Sequence, residues 1–441
     1  MRSAHGFAAS IVLGFVIACT PPVEVTDDVA VYEGPEVVVN APACAASPTW
    51  VTNPAPPDDV TANGPNCEFH QFAWQWFLSL TSPVAPDSAE RNFEDSTRHP
   101  ILGVDPCPGS EPSEVLLASD SLGLGIRTSK PRDSGPFPFF LPKDITQAGS
   151  NEPLVDQAGN VVYYNIRYTP NECDVNPNSL DASFPNTPPN TVTELKTAWR
   201  QIDTAEASRF FTAEGTIVDS KGNSQTLLLG LVGFHLVKNS PNHPEFIWAT
   251  FEHKDNAPVC NPPVPAPLAP AAGWSFASQT CADCLETPYS GTCPQTLQDC
   301  KFNIYPGDLK PTEVCRASEN GGGNLNNQTN ITSLNEQLTG PSGILTGLPS
   351  DDPMAVFKNY MHVGTLWLRN PTSNLAPWIQ DGSVDLASTV METYDQPPLP
   401  SGGAPQTLGK NCFTCHTFNG SENTATLSHI LPIQGAQILI E

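Results

Sequence analysis

Proline is the feature that most constrains how this chain can fold. The chain has 47 Pro and 31 Gly among its 441 residues, and only 15% of its residues are charged. Because proline lacks an N–H group and fixes φ, it interrupts helices and interior strands. A coiled coil would also need far more Glu, Lys and Leu. The composition therefore predicts short strands joined by long ordered loops, rather than a bundle of helices.

The charge balance is strongly acidic. The chain carries 20 Lys and Arg against 46 Asp and Glu, so its formal net charge is −26. A surface of this sign repels phosphates and offers no basic stripe, which argues against nucleic-acid binding. The same charge would favour a basic protein partner.

The N-terminus has the pattern of an export signal. Arg2 precedes an apolar run over residues 7–18, and about twelve residues are too few to span a bilayer. The run ends in Val16-Ile17-Ala18-Cys19, which resembles the lipobox of bacterial lipoproteins. The resemblance implies cleavage before Cys19, acylation of that cysteine and tethering to a membrane, with Thr20 favouring the outer membrane. The alternative is an ordinary signal peptide with a chance cysteine.

Hydrophobic spacing predicts a small number of regular elements. Strands are expected over residues 161–168, 225–237 and 245–252. If the last two pair as a hairpin, His235 shares a face with Trp248 and His253 lies on the opposite face. Helices are expected from a capping box at residues 191–194, over residues 385–394, and in a short stretch before a strand at residues 363–368. An amphipathic helix ending at Ser82-Pro83 is predicted by Phe69, Phe72, Ala73, Trp76, Phe77 and Leu80.

A single C-x-x-C-H motif lies near the C-terminus, at Cys412-Phe413-Thr414-Cys415-His416. This pentapeptide resembles the haem-attachment motif of c-type cytochromes. The resemblance covers the motif and about thirty residues around it. It implies one haem c bound covalently through Cys412 and Cys415, with His416 as the proximal iron ligand. The alternatives are a disulfide beside an unrelated histidine, or half of a zinc site.

The remaining cysteines are even in number. Of the 13 Cys, ten are left once Cys19, Cys412 and Cys415 are set aside, which predicts five disulfides in an oxidising compartment. The second C-x-x-C, Cys281 to Cys284, is therefore expected to be structural rather than redox-active or zinc-binding. The ten cysteines are Cys44, Cys67, Cys107, Cys173, Cys260, Cys281, Cys284, Cys293, Cys300 and Cys315.

The second axial ligand of the iron is less strongly indicated. Only 25 residues follow His416 and none is Met, so His429 is the favoured distal ligand. Met361 and His362 are the next candidates, followed by other upstream residues such as His235 and His253. An open or water-bound iron is the remaining possibility.

Together these patterns predict an α+β fold: an antiparallel, disulfide-rich sheet with a few packed helices and a C-terminal c-type haem segment. The expected units are a signal peptide (1–18), a Pro-rich tether (19–66), an α+β domain (67–400) and a haem segment packed on it (401–441). Trp367, Trp378 and Tyr394 are candidates for packing on the haem, although core packing explains them equally well.

The leading functional hypothesis is a tethered monohaem cytochrome that carries electrons in the periplasm or at the outer membrane. One alternative is a haem enzyme of peroxidase or oxygenase type with an open distal site. The other is a ligand-binding lipoprotein with an accessory haem.

Overall fold

The computed structural model describes residues 44–101, 116–117, 126–127, 152–175, 184–218, 224–260, 269–286, 300–369, 379–396 and 411–416. Within these residues the fold is mixed, with a few helices and an antiparallel sheet. The helices are α1 (Thr49–Thr52), α2 (Asn66–Thr81), α3 (Gln279–Glu286), α4 (Leu325–Thr339) and α5 (Cys412–Cys415). The strands are β1 (Leu116–Leu117), β2 (Ile126–Arg127), β3 (Val162–Tyr168), β4 (Thr193–Gln201), β5 (Thr212–Val218), β6 (Ser224–Ser240), β7 (His243–His253), β8 (Tyr360–Arg369) and β9 (Ile379–Gly382).

The main sheet has seven strands in the order β3-β4-β6-β7-β8-β9, with β5 paired to the first half of β6. All of these pairings are antiparallel. The hairpin of β6 and β7 is confirmed, and its register places His235 opposite Thr250 and Val237 opposite Trp248. His235 therefore shares a face with Trp248, as the alternation of side chains predicts.

One face of the sheet is covered by α2 and α4. Helix α2 begins just after Pro65 and ends before Ser82, and it turns Phe69, Phe77 and Leu80 inward. Phe77 stacks on Phe251 of β7 with ring centroids 4.1 Å apart, so the aromatic stripe of the helix forms core, as predicted. We call this side of the sheet the helix face.

The opposite face is covered by a C-terminal strap, residues 383–396, which crosses the sheet. Tyr164 donates a hydrogen bond to the carbonyl of Val390 at 2.6 Å. Gly233 of β6 makes this close approach possible, because a Cβ there would lie 2.6 Å from a methyl carbon of Val390. Gly364 of β8 has the same role beside Ser383, where a Cβ would lie 2.3 Å from the hydroxyl oxygen. We call this side the strap face.

Two of the expected helices are wrong. The segment expected to be a helix after residues 191–194 is strand β4, which has neighbours on both sides and is buried on both faces. A strand that is buried on both faces does not alternate between apolar and polar residues. Its apolar residues therefore happened to fall at the spacing expected of a helix. Residues 385–394 form turns of the strap, with one 3₁₀ turn at Thr393–Asp395.

The folded region also begins earlier than expected. Cys44 forms a disulfide with Cys67, and Val51 and Val60 are buried. Residues 44–66, which the sequence assigns to the tether, therefore pack on the core. The part of the expected tether before residue 44, and the signal peptide, lie outside the described residues.

Disulfide bonds join distant parts of the chain. Cys260 is bonded to Cys315, and Cys281 is bonded to Cys300. Cys173 and Cys284 are disulfide-bonded as well. The two cysteines of the second C-x-x-C thus serve separate disulfides, which confirms their structural role. Such bonds are typical of proteins that fold in an oxidising compartment.

Candidate functional site

The C-x-x-C-H motif forms a single helical turn, α5, docked on the strap face. Asn411 caps the turn, because its Oδ1 accepts a hydrogen bond from the Phe413 amide at 3.0 Å. Its Nδ2 donates to Gln380 Oε1 and to the carbonyl of Val384, both at 2.6 Å. The His416 amide donates to the Cys412 carbonyl at 2.8 Å, so these two residues lie one turn apart. The motif is therefore fastened to β9 and to the beginning of the strap.

Trp248 of β7 is the residue on which the motif rests. Its ring centroid lies 4.7 Å from that of His416, with the planes inclined by 38°. Phe413, only 9% exposed, meets the same indole edge-on at 6.0 Å. Cys412 and His416 are half-buried. Aliphatic side chains complete the surroundings of Phe413: Val237, Leu366, Leu368 and Leu386.

The Trp248 indole N–H has no acceptor within the described part of the chain, although it is buried. Tryptophan usually finds a partner for this group when buried. Trp248 is a neighbour of the motif that the sequence does not reveal. The parity of β7 places it on the face of His235, but nothing in the sequence indicates that α5 docks there.

Two candidate distal ligands are buried in the core and bonded to residues other than the motif. His362 stacks on Phe251 at 4.8 Å, and its Nε2 lies 2.8 Å from the Thr365 hydroxyl. His253 stacks on Phe210 at 4.1 Å, and its Nε2 lies 2.9 Å from the carbonyl of Arg209. Burial lowers the pKa of His253 to about 3 and that of His362 well below its usual value. Both are neutral core histidines, and His362 is separated from His416 by the sheet.

His235 lies on the strap face but is engaged by its neighbours. Its Nε2 lies 3.0 Å from both carboxylate oxygens of Glu392, and its Nδ1 lies 2.9 Å from the Thr250 hydroxyl. Burial alone would raise the pKa of Glu392, but His235 and Lys196 outweigh it and lower that pKa to about 2. The carboxylate is therefore charged at neutral pH and holds His235 in place.

The other predicted residues are divided between the two faces and the undescribed segments. Trp367 stacks on Phe69 at 3.9 Å on the helix face, and the Tyr394 hydroxyl donates to the carbonyl of Pro153. Among the described residues, the ring that contacts Phe413 and His416 of the motif is that of Trp248. Met361 is half-buried and paired in register with Glu252. His429, Trp378 and Cys19 lie outside the described residues.

No match to this chain was found among protein-family models, curated proteins or solved structures. In the described residues, no helix combines the length and the apolar character needed to cross a bilayer. Those residues also contain no group of three or more His, Cys, Asp or Glu side chains placed to hold a metal ion.

Proposed function

We propose that this protein is a monohaem c-type cytochrome that carries electrons, with one haem c bound through Cys412 and Cys415 and with His416 as the proximal ligand. The observation that carries the proposal is the docked motif: a capped helical turn holding Cys412 and His416 half-buried against Trp248. When bound, the haem would supply a reversible one-electron couple. Each cysteine thiol would add across one vinyl group, and the His416 imidazole would face the iron.

The donor set and its surroundings fit this group. The motif supplies two thiols and an imidazole within five residues, on a segment anchored by the burial of Phe413. Aromatic and aliphatic side chains beside it suit an apolar macrocycle. Two carboxylates on this face are bonded to neighbouring side chains: Glu392 to His235, and Glu252 to Arg316. Such pairing favours an electron carrier over a peroxidase or oxygenase, which would need an acid–base group available to its substrate.

We further propose His429 as the distal ligand and a basic protein as the redox partner. Removing residues 1–18 deletes one Arg and no acidic residue, so 19 basic and 46 acidic residues would leave a net charge of −27. This charge would steer a basic partner, with association slowed by salt. Acylation of Cys19 would tether the protein to the outer membrane, and the disulfides are consistent with export.

Covalent attachment is tested in a host that has cytochrome c maturation machinery. The wild-type protein should keep one haem through denaturing electrophoresis and acid-acetone extraction, because thioether bonds survive both. The variant Cys412→Ser with Cys415→Ser should lose it, whereas the control His429→Ala should keep it. Haem that is extracted from the wild-type protein, or zinc in its place, would refute the assignment.

Electron transfer is tested by the spectrum of the oxidised protein. The oxidised carrier should be six-coordinate and low-spin and should not change with cyanide, and the reduced carrier should not change with carbon monoxide. His429→Ala should convert it to a form that binds both ligands. A high-spin wild-type protein that binds them and turns over peroxide would favour the enzyme instead. An unchanged spectrum in His429→Ala would move the distal ligand upstream.

A further inference from the structure

Trp248 contacts two residues of the C-x-x-C-H motif in addition to its neighbours in the core. Its indole touches both the residue that anchors α5, Phe413 at 6.0 Å, and the histidine at the end of the motif, His416 at 4.7 Å. Trp248 itself is 4% exposed and belongs to a long, paired strand of the sheet. A helix of one turn would be poorly ordered by itself. Here Trp248, on a rigid strand, supports the His416 ring at the end of that helix.

We propose, on the basis of the function proposed above, that Trp248 is a positioning residue for the proximal ligand. The flat indole restricts rotation of the His416 imidazole and excludes water from that side of it. Orientation of an axial histidine and the dryness of its surroundings are the means by which a protein sets the potential of a bound haem. Trp248 would therefore act through His416, without touching the iron.

The chain offers a matched control. Trp74 of α2 is also fully buried, and its indole N–H also lacks an acceptor among the described residues. It lies on the helix face, where it meets Phe251 edge-on at 5.0 Å. Replacing Trp74 or Trp248 by leucine removes the same chemical groups from the interior. Only the Trp248 substitution changes the surroundings of His416.

The first measurement needs no haem. In unloaded protein with Cys412 and Cys415 replaced by serine, the imidazole protons of His416 are assigned by comparison with His416→Gln. The Trp248 ring current should displace them from the values of an exposed histidine, and Trp248→Leu should remove that displacement. Trp74→Leu should not. If the His416 protons of the doubly Cys→Ser protein have the chemical shifts of an exposed histidine, the contact with Trp248 is refuted, whether or not haem attaches to the wild-type protein.

The second measurement uses the haem-loaded full chain. Trp248→Leu should lower the midpoint potential, change the g values of the oxidised form and raise by about one unit the pH at which acid displaces the imidazole. One pH unit corresponds to a tenfold change in the equilibrium for displacing the imidazole, which is about the effect expected from losing one aromatic contact. Trp248→Phe should stay near wild type, because it keeps a ring.

The outcomes separate the inference from the function on which it rests. Covalent haem with wild-type values in Trp248→Leu, or equal shifts in Trp74→Leu, would overturn the positioning role alone. Equal shifts in Trp248→Phe and Trp248→Leu would overturn the argument from the ring. Absence of covalent haem in the wild-type protein would overturn the proposed function and this role together, while the ring-current result would still report the contact.

Discussion

A buried histidine pair on the helix face should make this fold acid-sensitive. His70 of α2 is completely buried, with its Nε2 2.8 Å from Asn327 Oδ1. Asn327 uses its Nδ2 to donate to Ser383 and to the carbonyl of Gly322, so its Oδ1 accepts and His70 carries its proton on Nε2. Protonating His70 Nδ1 would create a charge that has no partner among the described residues, in a ring whose centroid lies 5.3 Å from that of His362. Burial, only partly offset by the bond to Asn327, lowers the pKa of His70 to about 4.

The sign and size of the effect follow from linkage. The unfolded chain binds a proton at His70 near the usual pKa of 6.5, and the folded protein does so only near pH 4. Stability from this group is therefore complete above pH 6.5 and is lost as the pH falls between those values. From pH 8 to pH 5 the loss is about 2 kcal/mol, at 1.36 kcal/mol per unit of pKa difference.

The variant His70→Gln isolates this group. Glutamine can still donate to Asn327 Oδ1 but does not titrate. The other buried histidines are present in both proteins, so their contributions cancel, except for the part of the lowering of the His362 pKa that His70 causes, which is smaller than the part caused by burial. Urea unfolding followed by Trp fluorescence, with the disulfides intact, would give the free energy of unfolding at pH 8, 6.5 and 5. Wild type should lose about 2 kcal/mol more than His70→Gln over this range. Parallel pH profiles would refute the reasoning, whatever the offset between the two proteins at pH 8.

Three further substitutions test other parts of the structure. Glu252→Gln removes the charge that pairs with the buried Arg316, and should cost about 3 to 5 kcal/mol of unfolding free energy in urea; a loss below 1 kcal/mol would contradict the pairing. Replacing Cys44 and Cys67 together by serine opens a disulfide with a sequence separation of 23 and should cost about 3 kcal/mol, measured in the same way; an unchanged midpoint would contradict it. Cys19→Ala should release the protein from membranes on fractionation, and mass spectrometry should find an acylated N-terminal cysteine in wild type only.

Hydrophobic spacing in the sequence correctly predicted the helices and strands that keep the same buried face along their whole length. Helix α2 ends at Ser82-Pro83 as predicted, and most of its predicted stripe is buried, although Trp74, outside the stripe, is buried more deeply than Trp76. The parity of β7 correctly separated Trp248 from His253 because the strand pairs regularly with β6 over that stretch. Strand β4 was misassigned because burial on both faces removes the alternation that identifies a strand.

The site was only partly predictable for a related reason. The chemistry of Cys412, Cys415 and His416 is local and can be recognised within five residues. The surface that supports them is not local, because Trp248 lies more than 160 residues earlier in the chain. Trp367, closer in sequence, instead stacks on Phe69 on the helix face. Proximity in sequence was therefore a poor guide to which tryptophan packs on the motif.

The division of the sheet into two faces bears on the second axial ligand. His362 lies on the helix face, so it could not reach a haem on the strap face without crossing the sheet. His253 is buried between Phe210 and Tyr360, with its Nε2 at the carbonyl of Arg209. His235 is on the correct face, but leaving its place would strip the Glu392 carboxylate of its main partner in a site that is largely buried. Leaving a buried polar group without its hydrogen-bonding partner typically costs about 1 to 3 kcal/mol. Met361 is half-buried and paired with Glu252 on the strap face, and His429 lies outside the described residues. These two residues are therefore the ones to substitute first.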